Sequence, residues 1–166
     1  AEDTCQLLNL YPSSKYNVSA EKLGNIVTQT TANKIISAQE ILRQFVFAWL
    51  TGNGDLHAKN ISVISADNQR WELSPIYDIP STAPYGDKSM ALSVENRTSG
   101  LSFKTFIQFA ESLGIKEAAS RRLIQRILSD TEKLIEECSA IGFDSHRQQQ
   151  LAKILKNRRL SLSSPG

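Results

Sequence analysis

The chain has 166 residues, of which 40% are hydrophobic and 22% charged, with eight glycines and five prolines. That balance excludes collagen-like, low-complexity and largely disordered chains, and folding at this length hides roughly 70% of the extended chain's surface, enough for a core without a disulfide or structural metal. Nineteen Lys and Arg against seventeen Asp and Glu leave a net charge of +2, too little to identify a partner by itself.

The longest unbroken apolar run, residues 45–50, is far shorter than the roughly 20 residues of a membrane span, and no signal-peptide pattern opens the chain. A cytoplasmic location without membrane contact is therefore expected. Cys5 and Cys138 lie far apart, with no CxxC or Cys/His cluster, which suits reduced core fillers better than a disulfide framework.

In chain order, residues 1–10 read as part of a helix carrying Cys5, Leu7, Leu8 and Leu10, and the absence of Met at position 1 suggests a start in mid-protein. A turn-rich loop at 11–19 leads to Ser19, a candidate N-cap for a helix carrying Leu23, Ile26, Val27 and Thr30, closed by Asn33. Ser37-Ala-Gln-Glu40 has the form of a capping box before a buried helix over 38–50, rich in Ile41, Leu42, Phe45, Val46, Phe47, Trp49 and Leu50. Gly52 and Gly54 then break the helix. Ile61, Val63 and Ile64, turn chemistry at 66–69, and Trp71 with Leu73 predict a short hairpin.

Residues 79–100 are rich in Pro, Ser, Thr and Gly, which marks a long loop that is either functional or poorly ordered. Ser102 caps a predicted helix over 103–113 that stops at Gly114. Helices over 117–139 and 145–159 follow, and residues 160–166 are expected to fray. The last helix carries Arg147, Lys153, Lys156, Arg158 and Arg159 with no acid between 145 and 160. This is either a nucleic-acid or acidic-partner face, or a solvated helix whose cations favour its dipole; five charges fall below the usual nucleic-acid footprint and favour the latter.

The stretch that carries chemistry is Gly52-Asn-Gly-Asp55-Leu-His57-Ala-Lys59-Asn60, followed by the hairpin and Ile76-Tyr77-Asp78. Asn60 and Asp78 are oxygen donors of the kind Mg²⁺ takes beside substrate phosphates. Asp55 is suited to accept a proton from an attacking hydroxyl, and His57 and Lys59 to offset phosphate charge. Each residue also has a purely structural reading: Asp55 in a turn, Asn60 as a cap or turn former, Asp78 as a helix N-cap, His57 as a satisfied neutral imidazole. A metal-dependent phosphohydrolase would want a denser set of carboxylates and histidines.

Asp55, Leu56 and Asn60 keep the register of the protein-kinase loop H-R-D-L-x-x-x-N, and Asp78 follows a hairpin as the Asp of D-F-G does. Asn53-Gly54 replaces His-Arg, and Ile79-Pro80 replaces Phe-Gly. Asp55-Leu-His-Ala-Lys-Asn-Ile-Ser-Val63 with Pro75-Ile-Tyr-Asp-Ile79 resembles the HipA family of bacterial serine/threonine kinases, toxins of toxin–antitoxin pairs; Glu2 to Gln6 and Lys15-Tyr16 also look like that family.

The resemblance implies a mainly α fold: a helical kinase-like C-lobe, one small β-hairpin after the catalytic loop, and a single domain over 1–166. It implies Asp55 as catalytic base, Asn60 and Asp78 as ligands of Mg²⁺ with ATP, and His57 and Tyr77 beside the nucleotide. It further implies a protein substrate such as an aminoacyl-tRNA synthetase or another translation component, an antitoxin partner, and DNA reached only through the antitoxin. No glycine-rich lid or N-lobe lysine occurs here, so a chain lacking the N-lobe is expected to be inactive alone. The alternative is a non-enzymatic kinase-like module that binds an antitoxin or DNA, although the retention of Asp55, Asn60 and Asp78 argues against it.

Overall fold

The structure is a computed structural model that describes residues 1–67 and 69–163. It is mainly helical with a small antiparallel sheet, as expected. The sheet has three strands, not the two of a lone hairpin: β1 (Glu2–Asp3) pairs with β2 (Ser62–Ile64), which pairs with β3 (Glu72–Leu73). The predicted helix over 1–10 is thus corrected to a strand followed by the single turn α1 (Thr4–Leu7). Asp3 joins the two in a capping box, its carboxylate accepting from the Gln6 N–H while Gln6 Oε1 accepts from the Asp3 N–H. A two-residue strand is too short to show a period, which is why it was not legible.

α2 (Ala20–Thr30) starts at Ser19 as predicted. The central helix α3 (Lys34–Thr51) begins four residues earlier than expected, because Asn33 Oδ1 accepts from the Ile36 N–H and supplies the cap. Ser37 is not a cap; it lies buried and accepts from Thr31 Oγ1 at 2.7 Å. Ile35 and Ile36 in that first turn are 70% and 56% exposed, so the apolar periodicity starts only after the helix does.

α4 (Phe103–Ser112) is capped by Ser102, as predicted. Phe45 of α3, Phe106 and Phe109 of α4, and Leu23 of α2 are fully buried at the centre of the core, with Phe45 and Phe109 edge to face at 5.3 Å. The segment 79–100 contributes Met90, Leu92 and Val94 to this core, and the Ala20 N–H donates to the Ser93 carbonyl. It is therefore ordered, and its alternating apolar residues are the period-two signal that its Pro/Ser/Thr content obscures.

The helix predicted over 117–139 is interrupted. α5 (Glu117–Asp130) ends at Thr131, and α6 (Leu134–Glu137) follows. The Arg159 guanidinium donates to the Leu128 and Thr131 carbonyls, the acceptors that a continuing helix would have used. α7 (Ser145–Leu162) runs past the predicted end, with Leu162 fully buried, so residues 160–162 do not fray; residues 164–166 lie outside the described residues.

Two of the five cations on α7 also turn inward. Arg158 is 6% exposed, sits 4.0 Å over the Trp49 ring, and donates to the Trp49 and Lys88 carbonyls. Burial pushes its pKa down to about 10. α7 is therefore neither a continuous basic face nor a simply solvated helix: its last arginines clamp the C-termini of α3 and α5. Cys5 and Cys138 are both buried and unpaired, as expected. Among the described residues no helix is long and apolar enough to cross a membrane.

Candidate functional site

α3 delivers the chain to the site. Gly52 ends the helix with φ 76°, a conformation that costs a side-chain-bearing residue strain. Residues 81–89 lie directly on this turn: a Cβ at Gly54 would sit 2.5 Å from Thr82 Oγ1 and 2.8 Å from the Ser89 carbonyl oxygen. The Gly54 N–H donates to Thr82 Oγ1, and buried Asn53 accepts from the Asp55 N–H at 2.8 Å. Leu56, Ala58 and Ile61 are buried, so the core grips the loop from below while the Asp55 side chain stays 39% exposed. The Thr4 hydroxyl donates to the Ala58 carbonyl, and the Ala58 N–H donates to the Lys15 carbonyl.

Four of the predicted residues come together. Asn60, only 4% exposed, donates from Nδ2 to the Asp55 carbonyl at 3.0 Å and to Asp78 Oδ2 at 3.2 Å. Asp78 sits at φ 53°, a left-handed conformation uncommon for a residue other than glycine. Asp55 Oδ1 accepts from the Tyr16 hydroxyl at 2.9 Å and lies 3.9 Å from His57 Nε2.

His57 is 5% exposed, and its Nε2 is 2.7 Å from Lys15 Nζ. An ammonium can only donate, so Nε2 accepts and the ring proton is on Nδ1, which is buried with no hydrogen-bond partner. Burial first, and the Lys15 charge second, hold the His57 pKa below its ordinary value, keeping the ring neutral.

Lys59 and Tyr77 form a neighbouring group. The Lys59 ammonium donates to Asp3 Oδ2 at 3.0 Å, and that bond raises its pKa. The Tyr77 hydroxyl donates to the Lys59 carbonyl at 2.7 Å and is 2.6 Å from Ser62 Oγ. These contacts fasten β1, the loop and the 75–78 segment to one another. Lys15 and Tyr16 complete the site but carried no chemical signal in the sequence; their adjacency was legible only within the family resemblance.

The oxygen donors of Asn60 and Asp78 fit a hard cation that would draw its remaining ligands from water and phosphate. Among the described residues no group of three or more His, Cys, Asp and Glu lies close enough to hold a metal ion. A cavity of about 850 Å³ lies between α3, the C-terminal end of α5, the hairpin and residues 75–79, lined by Ile36, Phe47, Ile64, Leu73, Ile76 and Ile127; none of Asp55, His57, Asn60 and Asp78 borders it.

Comparison with known proteins places this geometry in context. Residues 1–135 match the model of the HipA-like C-terminal domain. A Haemophilus influenzae protein named "Putative kinase" is 32% identical over 136 residues, covering 70% of this chain and 40% of its own length. A Sinorhizobium fredii protein named "Putative kinase Y4dM" is 32% identical over 135 residues, covering 80% of this chain and 31% of itself. The chain thus spans two fifths or less of these relatives.

HipA of Shewanella oneidensis MR-1, solved with HipB and operator DNA, matches 96% of this chain and 42% of its own with a TM-score of 0.71 at 22% identity, a likeness of fold. The same loop, hairpin and helices that assemble the site are those the family model covers, and the chain belongs to the HipA-like C-terminal domain family.

Proposed function

We propose that this chain is the C-terminal catalytic lobe of an ATP- and Mg²⁺-dependent serine/threonine protein kinase, the toxin component of a bacterial toxin–antitoxin system. One observation carries the reading: the buried Asn60 carboxamide bonds both the Asp55 backbone and the Asp78 carboxylate, making one unit of the candidate base and the candidate cation ligands. The names of the relatives and the fold of the HipA neighbour support it.

In this reading Asp55 orients a seryl or threonyl hydroxyl and accepts its proton. The Tyr16 hydroxyl occupies Asp55 Oδ1, leaving Oδ2 for the substrate. With Asn60 Nδ2 engaged as a donor, its Oδ1 and the Asp78 carboxylate would hold Mg²⁺, which when bound neutralises charge on the phosphate oxygens. Tyr77 supports the segment carrying Asp78 through its bond to the Lys59 carbonyl.

The partners proposed are a protein substrate of the translation apparatus, such as an aminoacyl-tRNA synthetase, and an antitoxin protein in the cytoplasm. The inward-turned Arg158 and Arg159 leave α7 a poor direct DNA surface, which favours DNA contact through the antitoxin.

The test is incubation of the full-length protein with γ-labelled ATP and Mg²⁺, followed by phosphoamino-acid analysis. Labelled serine or threonine is expected in the wild type and not in Asp55→Ala. No label and no Mg²⁺-dependent nucleotide binding in the wild type would overturn the reading and leave the non-enzymatic module.

A further inference from the structure

The loop residues expected to face phosphate do not supply a free positive charge. His57 has its Nε2 lone pair occupied by the Lys15 ammonium, so it faces that side as an acceptor. The Lys59 ammonium lies 3.0 Å from Asp3 Oδ2, neutralised within an ion pair. Phosphoryl transfer spreads negative charge over three equatorial oxygens, and beside a cation held by Asn60 and Asp78 neither His57 nor Lys59 adds a free positive charge to stabilise it.

Lys15 is placed to meet this need. It is half-buried, in the loop before α2, and its carbonyl is fixed by the Ala58 N–H of the catalytic loop at 3.1 Å. Its Nζ is 2.7 Å from His57 Nε2 and 4.9 Å from the centre of the Tyr16 ring. Among the described residues no carboxylate forms an ion pair with it. One of its three N–H donors serves His57, and the others remain for an anion. The next residue, Tyr16, donates to Asp55 and packs edge to face on His57 at 5.2 Å. The dipeptide therefore grips the two polar residues on either side of buried Leu56.

We propose that Lys15 is the cation that meets the transferred phosphoryl group of a nucleoside triphosphate, with His57 as the neutral acceptor that holds it in place. The proposal rests on the kinase reading above. The substrate hydroxyl oxygen forms its bond to the γ-phosphorus as the bond from that phosphorus to the β–γ bridging oxygen breaks; the hydroxyl proton passes to Asp55, and the nucleoside diphosphate leaves with the electron pair. Lys15 keeps its proton throughout and balances charge on the equatorial oxygens.

The experiment is calorimetric titration of the full-length protein with MgATP and MgADP, alongside transfer kinetics, for the wild type, Lys15→Met, Lys15→Gln and Lys15→Arg. Neutral variants are expected to bind MgATP about 10-fold more weakly, as for loss of one charge-assisted hydrogen bond, with MgADP binding changed less than about twofold. Their kcat is expected to fall about 100-fold, with partial recovery in Lys15→Arg. The second neutral variant covers a folding failure of the first. A Lys15 variant that melts like the wild type and keeps its kcat and its ratio of ATP to ADP affinity would overturn the role of Lys15 alone. A wild type that neither binds MgATP nor transfers phosphate would overturn this proposal together with the kinase reading.

Discussion

Phe45 and Asp55 stand ten residues apart and are held in opposite ways. Phe45 is fully buried, edge to face with Phe109 and surrounded by apolar side chains of α2, α3 and α4. Asp55 projects into solvent from a loop whose shape depends on single polar contacts: Asn53 to its N–H, Asn60 to its carbonyl, and Tyr16 to its carboxylate. Apolar packing is spread over many neighbours and carries most of the stability, whereas each polar contact in the loop has one partner and sets one orientation. The helices make the platform, and the loop uses it.

This contrast separates the effects of substitution. Asp55→Ala should lower phosphoryl transfer by about 10²–10⁴-fold, the usual contribution of a positioned base, while the thermal midpoint stays close to the wild type. Parallel kinetics and melting curves check this; a large fall in midpoint would mean that the loop also supports the fold. Phe45→Ala should do the reverse, lowering stability by about 3–5 kcal/mol in urea unfolding, through lost burial and the cavity left behind. A loss below about 1 kcal/mol would remove Phe45 from the centre of the core.

The smallest effect expected is the pH response of His57, which spans both regions because it is buried yet belongs to the loop. Its folded pKa is held below the ordinary value near 6.5, so as the pH falls below 6.5 the unfolded chain takes up a proton that the folded chain refuses. The stability attached to this group is thus full above 6.5 and declines as the pH falls toward the depressed folded value. His57→Gln should flatten that part of the profile, read from urea midpoints between pH 6.5 and 5. An unchanged slope would contradict a neutral buried ring.

The same contrast explains what was legible in the sequence. Ser102 with the Phe103, Phe106 and Ile107 stripe identified α4 because cap and apolar face agree. Asp55, Asn60 and Asp78 were legible through spacing, since one loop and one hairpin bring them together. β1 was hidden because its two residues are recruited by β2, and the end of α5 was hidden because Arg159, 28 positions beyond Thr131, takes the carbonyls there. Lys15 was hidden as a site residue for a similar reason: its neighbour His57 is 42 positions away, and nothing local marks the loop that carries it.

In the proposed function Asn60 and Asp78 present a cation to a nucleotide beside Asp55. Its most direct test is calorimetric titration of the full-length wild type and Asp78→Ala with ATP, with and without Mg²⁺. Binding to the wild type is expected to require Mg²⁺, and that Mg²⁺-dependent component is expected to be lost in Asp78→Ala with the fold retained. ATP binding that is indifferent to Mg²⁺, or identical in the two proteins, would contradict it.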